Sequence, residues 1–176
     1  PDTCVIAGTT LETELMAEDP DGHDIILSSF GDVYEIPNSP ASYSPFPPVA
    51  QPSPASITFT WNTNCSHINP RPYQVRIKAL DQPPQGEGPK LADFYTWFVT
   101  VVPPPPAWQS ASQGQGNFTN LSWNPYECDN ATSMEIWRKV DSNPFEPEHC
   151  ELGMPENTGY ELIDEVNIGQ TDYMDD

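Results

Sequence analysis

Apolar residues recur at every second position in a series of short runs. In Ser56-Ile57-Thr58-Phe59-Thr60-Trp61 the spacing puts Ile57, Phe59 and Trp61 on one face of an extended segment. Tyr73-Gln74-Val75-Arg76-Ile77-Lys78-Ala79 alternates in the same way, and Phe94-Tyr95-Thr96-Trp97-Phe98-Val99 closes the set. Two further runs precede these: Thr10-Leu11-Glu12-Thr13-Glu14-Leu15-Met16-Ala17, and Asp24-Ile25-Ile26-Leu27-Ser28. A period of two is the signature of a strand with one face buried. No run shows a helical period with caps. The stretch 37–54 holds seven prolines and reads as a long loop, or an edge that cannot pair.

A break is visible after Val99-Thr100-Val101-Val102, where Pro103-Pro104-Pro105-Pro106 follows. Four prolines supply no ladder donors and favour a stiff polyproline II spacer about 12 Å long. Beyond it the strand candidates are Trp108-Gln109-Ser110-Ala111, the run from Asn117 to Trp123, Met134-Glu135-Ile136-Trp137-Arg138, and the run from Tyr160 to Val166. The fold expected is all-β: two tandem β-sandwiches, residues 1–102 and 107–176, joined by a proline linker at 103–106.

Composition supports two small cores rather than one large one. Of 176 residues 36% are hydrophobic and 22 are proline, against roughly 45–50% apolar in an average globular chain. No run approaches the roughly 18 apolar residues of a spanning helix, so no membrane insertion is expected. The formal charge is −20, from 26 acids and 6 bases, and residues 141–176 carry no Lys or Arg. Such a field disfavours nucleic acid and anionic membrane as partners. The chain opens on Pro1 without an apolar leader, so a removed signal peptide or a longer parent protein is expected.

Cys4, Cys65, Cys128 and Cys150 form no C-x-x-C pair, which argues against zinc and for disulfides in an oxidising compartment. Of the three pairings, Cys4–Cys65 with Cys128–Cys150 keeps each bridge within one domain. Closing the shorter loop would contribute roughly 3 kcal/mol in the chain-entropy model. His23, His67 and His149 stand apart in loop-like sequence and read as solvated side chains. Carboxylate pairs are expected by chance in so acidic a chain, and no nucleophile elbow, phosphate loop or His-Glu-x-x-His occurs. The chain is therefore not expected to be an enzyme. Trp61, Trp97, Trp123 and Trp137 read as core, and Trp108 as a residue of the domain junction; exposed aromatics would instead suit a sugar platform. Asn64, Asn117, Asn120 and Asn130 each begin an N-glycosylation acceptor: sugar in a eukaryotic secreted protein, chance in a bacterium.

The second half resembles a fibronectin type III domain through Pro106, Leu121-Ser122-Trp123, Ile136-Trp137-Arg138, Tyr160-Glu161-Leu162-Ile163 and Thr171-Asp172-Tyr173-Met174-Asp175. The resemblance implies two further strands, so this module is expected to be truncated, or completed by a strand from another chain. The first half is similar to the cadherin- or immunoglobulin-like modules of bacterial surface proteins. The matching residues are Ala17-Glu18-Asp19-Pro20-Asp21-Gly22, Phe59-Thr60-Trp61, and Pro72-Tyr73-Gln74-Val75 running to Ala79-Leu80-Asp81. The order of Trp61-Asn62-Thr63-Asn64-Cys65, Trp97, Trp123-x-Pro125-Tyr126-x-Cys128 and Cys150-Glu151-x-Gly153 resembles the gliding-motility-associated proteins exported by the type IX secretion system of Bacteroidota.

That resemblance implies an extracellular, cell-surface protein with a structural or adhesive role in adhesion, gliding, or a stalk within a filament. The alternative is an accessory or carbohydrate-binding region of a secreted hydrolase. Implied partners are other domains or copies of the same surface protein, and surface glycans or proteins. Calcium is the one cofactor the residues suggest. Asp19, Asp21 and Asp24 supply hard oxygen ligands in one acidic turn, beside Glu18, and such modules place a residue like Asp81 near a domain end. Asp19-Pro20-Asp21-Gly22 is also a sound turn in its own right.

Overall fold

The computed structural model describes residues 2–114, 116, 118–140, 146, 148 and 150–176. It is all-β, with thirteen strands, two short 3-10 turns and no α-helix among the described residues. The chain divides into two compact units, Pro1–Val102 and Pro103–Asp176.

The first unit holds eight strands: β1 (Thr3–Ile6), β2 (Thr10–Ala17), β3 (Asp24–Phe30), β4 (Ser42–Ser44), β5 (Ala50–Gln51), β6 (Ala55–Asn62), β7 (Tyr73–Gln82) and β8 (Ala92–Val102). They form a five-stranded sheet in the order β1-β8-β7-β3-β5 and a three-stranded sheet in the order β2-β6-β4. All pairs are antiparallel except β1 with β8, which run parallel with Thr3 beside Val99 and Ile6 beside Val102. The alternation read from sequence is the burial pattern observed. Ala55, Ile57, Phe59 and Trp61 on β6 face Leu27, Val75, Trp97, Val99 and Val101 of the other sheet and are buried. The Phe59 and Trp97 rings meet edge to face at 5.1 Å, and Trp61 meets Tyr73 at 5.0 Å. Such pairs add about 0.5–1.5 kcal/mol beyond their buried area.

Two expectations for this unit are corrected. The stretch 37–54 is not without pairing: β4 joins β6, with Tyr43 opposite Phe59, and β5 joins β3. Both strands are short because prolines bound them. Pro45 follows Ser44 and Pro52 follows Gln51, and neither ring can donate to a ladder. His67 is not solvated but fully buried.

The second unit holds β9 (Trp108–Gln113), β10 (Thr119–Trp123), β11 (Ser133–Arg138), β12 (Glu161–Asn167) and β13 (Asp172–Asp175). One sheet has the order β13-β10-β9; β11 and β12 make a second. Asp172-Tyr173-Met174-Asp175, one of the segments that carry the fibronectin type III resemblance, is a strand paired with β10. Among the described residues the fully buried apolar set is small: Trp123, Cys128 and Val166. Trp123 closes it by donating Nε1–H to the Gln170 carbonyl at 2.8 Å.

Candidate functional site

The turn between β2 and β3 gathers Asp19, Asp21 and His23, whose ligating atoms all lie within 4.8 Å of one another. Asp24 and Asp81 are not in that group. Asp24 opens β3 opposite Gln82, and Asp81 lies on β7 opposite Ile25. The Asp81 carboxylate is engaged by the backbone N–H of Leu91. The reason the turn holds together is local. Asp19 Oδ1 accepts the N–H of Asp21 at 2.9 Å and that of His23 at 3.3 Å, an Asx turn closed by Gly22 donating to the Asp19 carbonyl. His23 Nε2 lies 3.5 Å from Glu87. The group thus offers two carboxylates and an imidazole, whereas Ca²⁺ takes six to eight oxygens.

The other histidine of this unit is structural. Asn64 caps the 3-10 turn Cys65–His67. Its N–H donates to His67 Nδ1 at 3.1 Å, so the ring proton sits on Nε2 and is given to the Asn38 carbonyl at 2.6 Å. The Asn64 side chain accepts from Ser66 N–H at 2.9 Å, which commits its amide to the cap. His149 and Asn117 lie outside the described residues, while Asn120 and Asn130 are exposed.

All four cysteines are disulfide-bonded. The protein therefore belongs to an oxidising compartment, secreted or periplasmic. No helix among the described residues is long and apolar enough to cross a membrane. Of the tryptophans expected in the core, Trp61, Trp97 and Trp123 are buried and Trp137 is half-buried. Trp108 is 59% exposed.

What sequence reasoning missed is a groove in the first unit, about 600 Å³, where the edges of its two sheets part. One wall is β2, with Thr13, Leu15 and Ala17; the other is the core-facing side of β7 and β8, with Ile77, Ala79, Tyr95 and Trp97. Glu14, Glu18 and Asp93 stand on its lining. Trp97 is held at the floor by donating Nε1–H to Thr3 Oγ1 at 2.9 Å. Alternation marks Tyr95 as a core-facing position, one step along from Trp97, yet it is 48% exposed because nothing covers it. Met16 on the lining is 63% exposed; Phe94, which faces the other side of its sheet under Lys78 Nζ, and Leu91 just before β8 are 64% and 66% exposed.

No family model matches the chain, and no curated protein does. Among solved structures it is similar to one described as a chaperone–tip adhesin complex vital for activation of CFA/I fimbriae biogenesis, at 12% identity and TM-score 0.35. It is similar also to the class 5 fimbriae chaperone CfaA, at 9% identity and TM-score 0.36. Each alignment covers 98% of this chain and 81% of the other. Likeness at this level carries no argument about activity. The assignment to gliding-motility-associated, type IX-exported proteins of Bacteroidota is nevertheless corrected, since no family model and no curated protein supports it. With it go the roles drawn from it, adhesion, gliding, and a stalk or filament at the cell surface; the alternative, an accessory or carbohydrate-binding region of a secreted hydrolase, is corrected too. The physical reason lies in the motifs themselves. Asp19-Pro20-Asp21-Gly22 is a self-sufficient turn, and Phe59, Trp61 and Val75 are core positions. Any β-sandwich asks for such residues, so they report architecture rather than kinship.

Proposed function

We propose that this chain is a non-catalytic binding protein of a secreted or periplasmic compartment, and that its first unit engages another protein. One observation carries the reading. Met16 and Tyr95, 63% and 48% exposed, are large apolar side chains on the lining of an open groove, and Leu91 and Phe94, just before and on β8, are exposed as well, in a chain of net charge −20. Large apolar side chains left exposed around a groove with a charged rim mark an interaction site. Nothing about its chemistry calls for catalysis. The lining offers carboxylates and hydroxyls but no histidine, cysteine or lysine.

Site-specific photo-crosslinking in cells that make the protein tests this. A photoreactive side chain at Phe94 is expected to yield a discrete protein adduct. The same group at Ser42, exposed on the far edge strand β4, is expected to yield none. Equal labelling from both positions, or none from Phe94, overturns the proposal.

A further inference from the structure

The groove has a feature that the exposed apolar side chains alone do not require: its walls are sheet edges. β8 runs from Ala92 to Val102, but β1 covers only the last part, from Val99 onward. Residues 92–98 have β7 on one side and no strand on the other among the described residues. The ladder decides which backbone groups are affected. Asp81 N–H donates to the Leu91 carbonyl at 3.0 Å, and the antiparallel pattern alternates, so Ala92, Phe94 and Thr96 turn their N–H and C=O away from β7. At the far end Val102, of the same parity, accepts from Ala7 at 2.8 Å on the β1 side. The outward row is thus the row β1 uses, left without a partner strand for seven residues or about 23 Å, its Phe94 N–H held only by the neighbouring Asp93 side chain. Across the groove β2 pairs, among the described residues, with β6 alone, which leaves its outer edge without a strand as well.

We propose that residues 92–98 of β8 receive an extended segment of the protein partner as an added strand, with apolar side chains at alternate positions and basic residues at its ends. This rests on the partner-binding reading above and names the mode and the chemistry of the partner. Backbone hydrogen bonds to Ala92, Phe94 and Thr96 hold the segment in register. Every second side chain then points between the sheets, onto Leu15, Ile77, Ala79 and Tyr95. The charge at the rim selects the flanks. Glu14, Glu18 and Asp93 border the groove, and Asp93 Oδ1 accepts the Phe94 N–H at 2.8 Å. An incoming strand takes over that N–H, and the freed carboxylate meets a basic flank. A second copy of this chain is a poor occupant. It would bring Glu12, Glu14 and Asp93 against an equally acidic edge, which is how sheet edges are kept from pairing with themselves.

The test uses the whole purified chain and a synthetic peptide of about eight residues, valine alternating with threonine between terminal lysines. A second peptide has the same composition with the valines contiguous. The alternating peptide is expected to slow amide exchange at Ala92, Phe94 and Thr96 and to bind about tenfold more tightly than the rearranged one. Thr96→Pro removes one outward donor without touching the β7 ladder and is expected to lower that affinity about tenfold. Asp93→Lys keeps every residue of the strand able to pair and is expected to reverse the preference, toward glutamate-flanked peptides. Equal binding of the two peptides, or no protection at these amides, overturns strand addition. Protection that grows with protein concentration in the absence of peptide overturns it in favour of a second copy. If strand addition fails while Phe94 still crosslinks selectively, the partner-binding reading stands and only its mode falls.

Discussion

His67 Nδ1 accepts the backbone N–H of Asn64 at 3.1 Å, and this pair decides how the chain turns after β6. Asn64 would otherwise leave that donor unmet at the start of the Cys65–His67 turn. Instead its side chain caps Ser66 while the imidazole caps Asn64, a reciprocal arrangement of the capping-box kind. The ring lies 5.0 Å from Trp61, and its backbone carbonyl accepts the Tyr73 hydroxyl at 2.9 Å, which ties the turn to β7.

Replacing that imidazole tests the relationship. His67→Ala leaves a cavity beside Trp61 and strips partners from the Asn64 N–H and the Asn38 carbonyl. The expected loss is roughly 2–5 kcal/mol of unfolding free energy, measured by denaturant titration of the first unit. His67→Gln, which can still reach one of the two partners, is expected to lose less. Equal stability of all three proteins would show the caps to be incidental.

Gly31 precedes the 3-10 turn Asp32–Tyr34 with φ of 152°, and a Cβ there would stand 2.4 Å from the Gln74 carbonyl oxygen. That oxygen belongs to β7 and cannot retreat. Gly31→Ala is expected to lower the unfolding midpoint by several degrees, for a cost of roughly 2 kcal/mol or more. Gly8→Ala, where nothing lies within 4 Å though φ is also positive, is the milder comparison.

Burial pushes the Tyr34 hydroxyl up from 10.0 to about 12, the bond to Ser29 working the other way and Tyr43 adding to the rise. Burial raises Tyr73 as well. A pKa raised on folding means the fold favours the protonated form. The resulting stability is complete below pH 10 and declines as pH climbs from 10 toward 12. Thermal melts across pH 9–12 are expected to show that decline, and Tyr34→Phe to lessen it while leaving the share due to Tyr73. A decline unchanged in Tyr34→Phe would assign it elsewhere.

The disulfides are expected to be Cys4–Cys65 and Cys128–Cys150. A non-reducing digest with mass mapping should recover those two linked peptides and no other combination. Reduction is expected to lower the stability of the second unit more than that of the first. Its buried apolar set among the described residues is limited to Trp123, Cys128 and Val166, so the cross-link bears more of its order.

The strands and their buried faces were legible along the chain because alternation is local information. Ile57, Phe59 and Trp61, or Trp97 and Val99, announce a core-facing side without reference to any other segment. The same locality explains Asp19 and Asp21, two members of one turn that the structure does bring together. It also explains why Asp81 and Asp24 do not join them: a ligand set drawn from separate strands depends on register, and register placed Asp81 opposite Ile25. His67 shows the same limit. Nothing in Asn64-Cys65-Ser66-His67 says that Trp61 and Asn38 will close over the ring. The parallel union of β1 with β8 joins Thr3 to Val99 across most of the first unit, and only the packing of two sheets selects it. The groove is further still from the sequence. It exists because β1 stops short along β8 while β2, among the described residues, pairs on one side alone, and a missing neighbour leaves no mark on the residues that lack it.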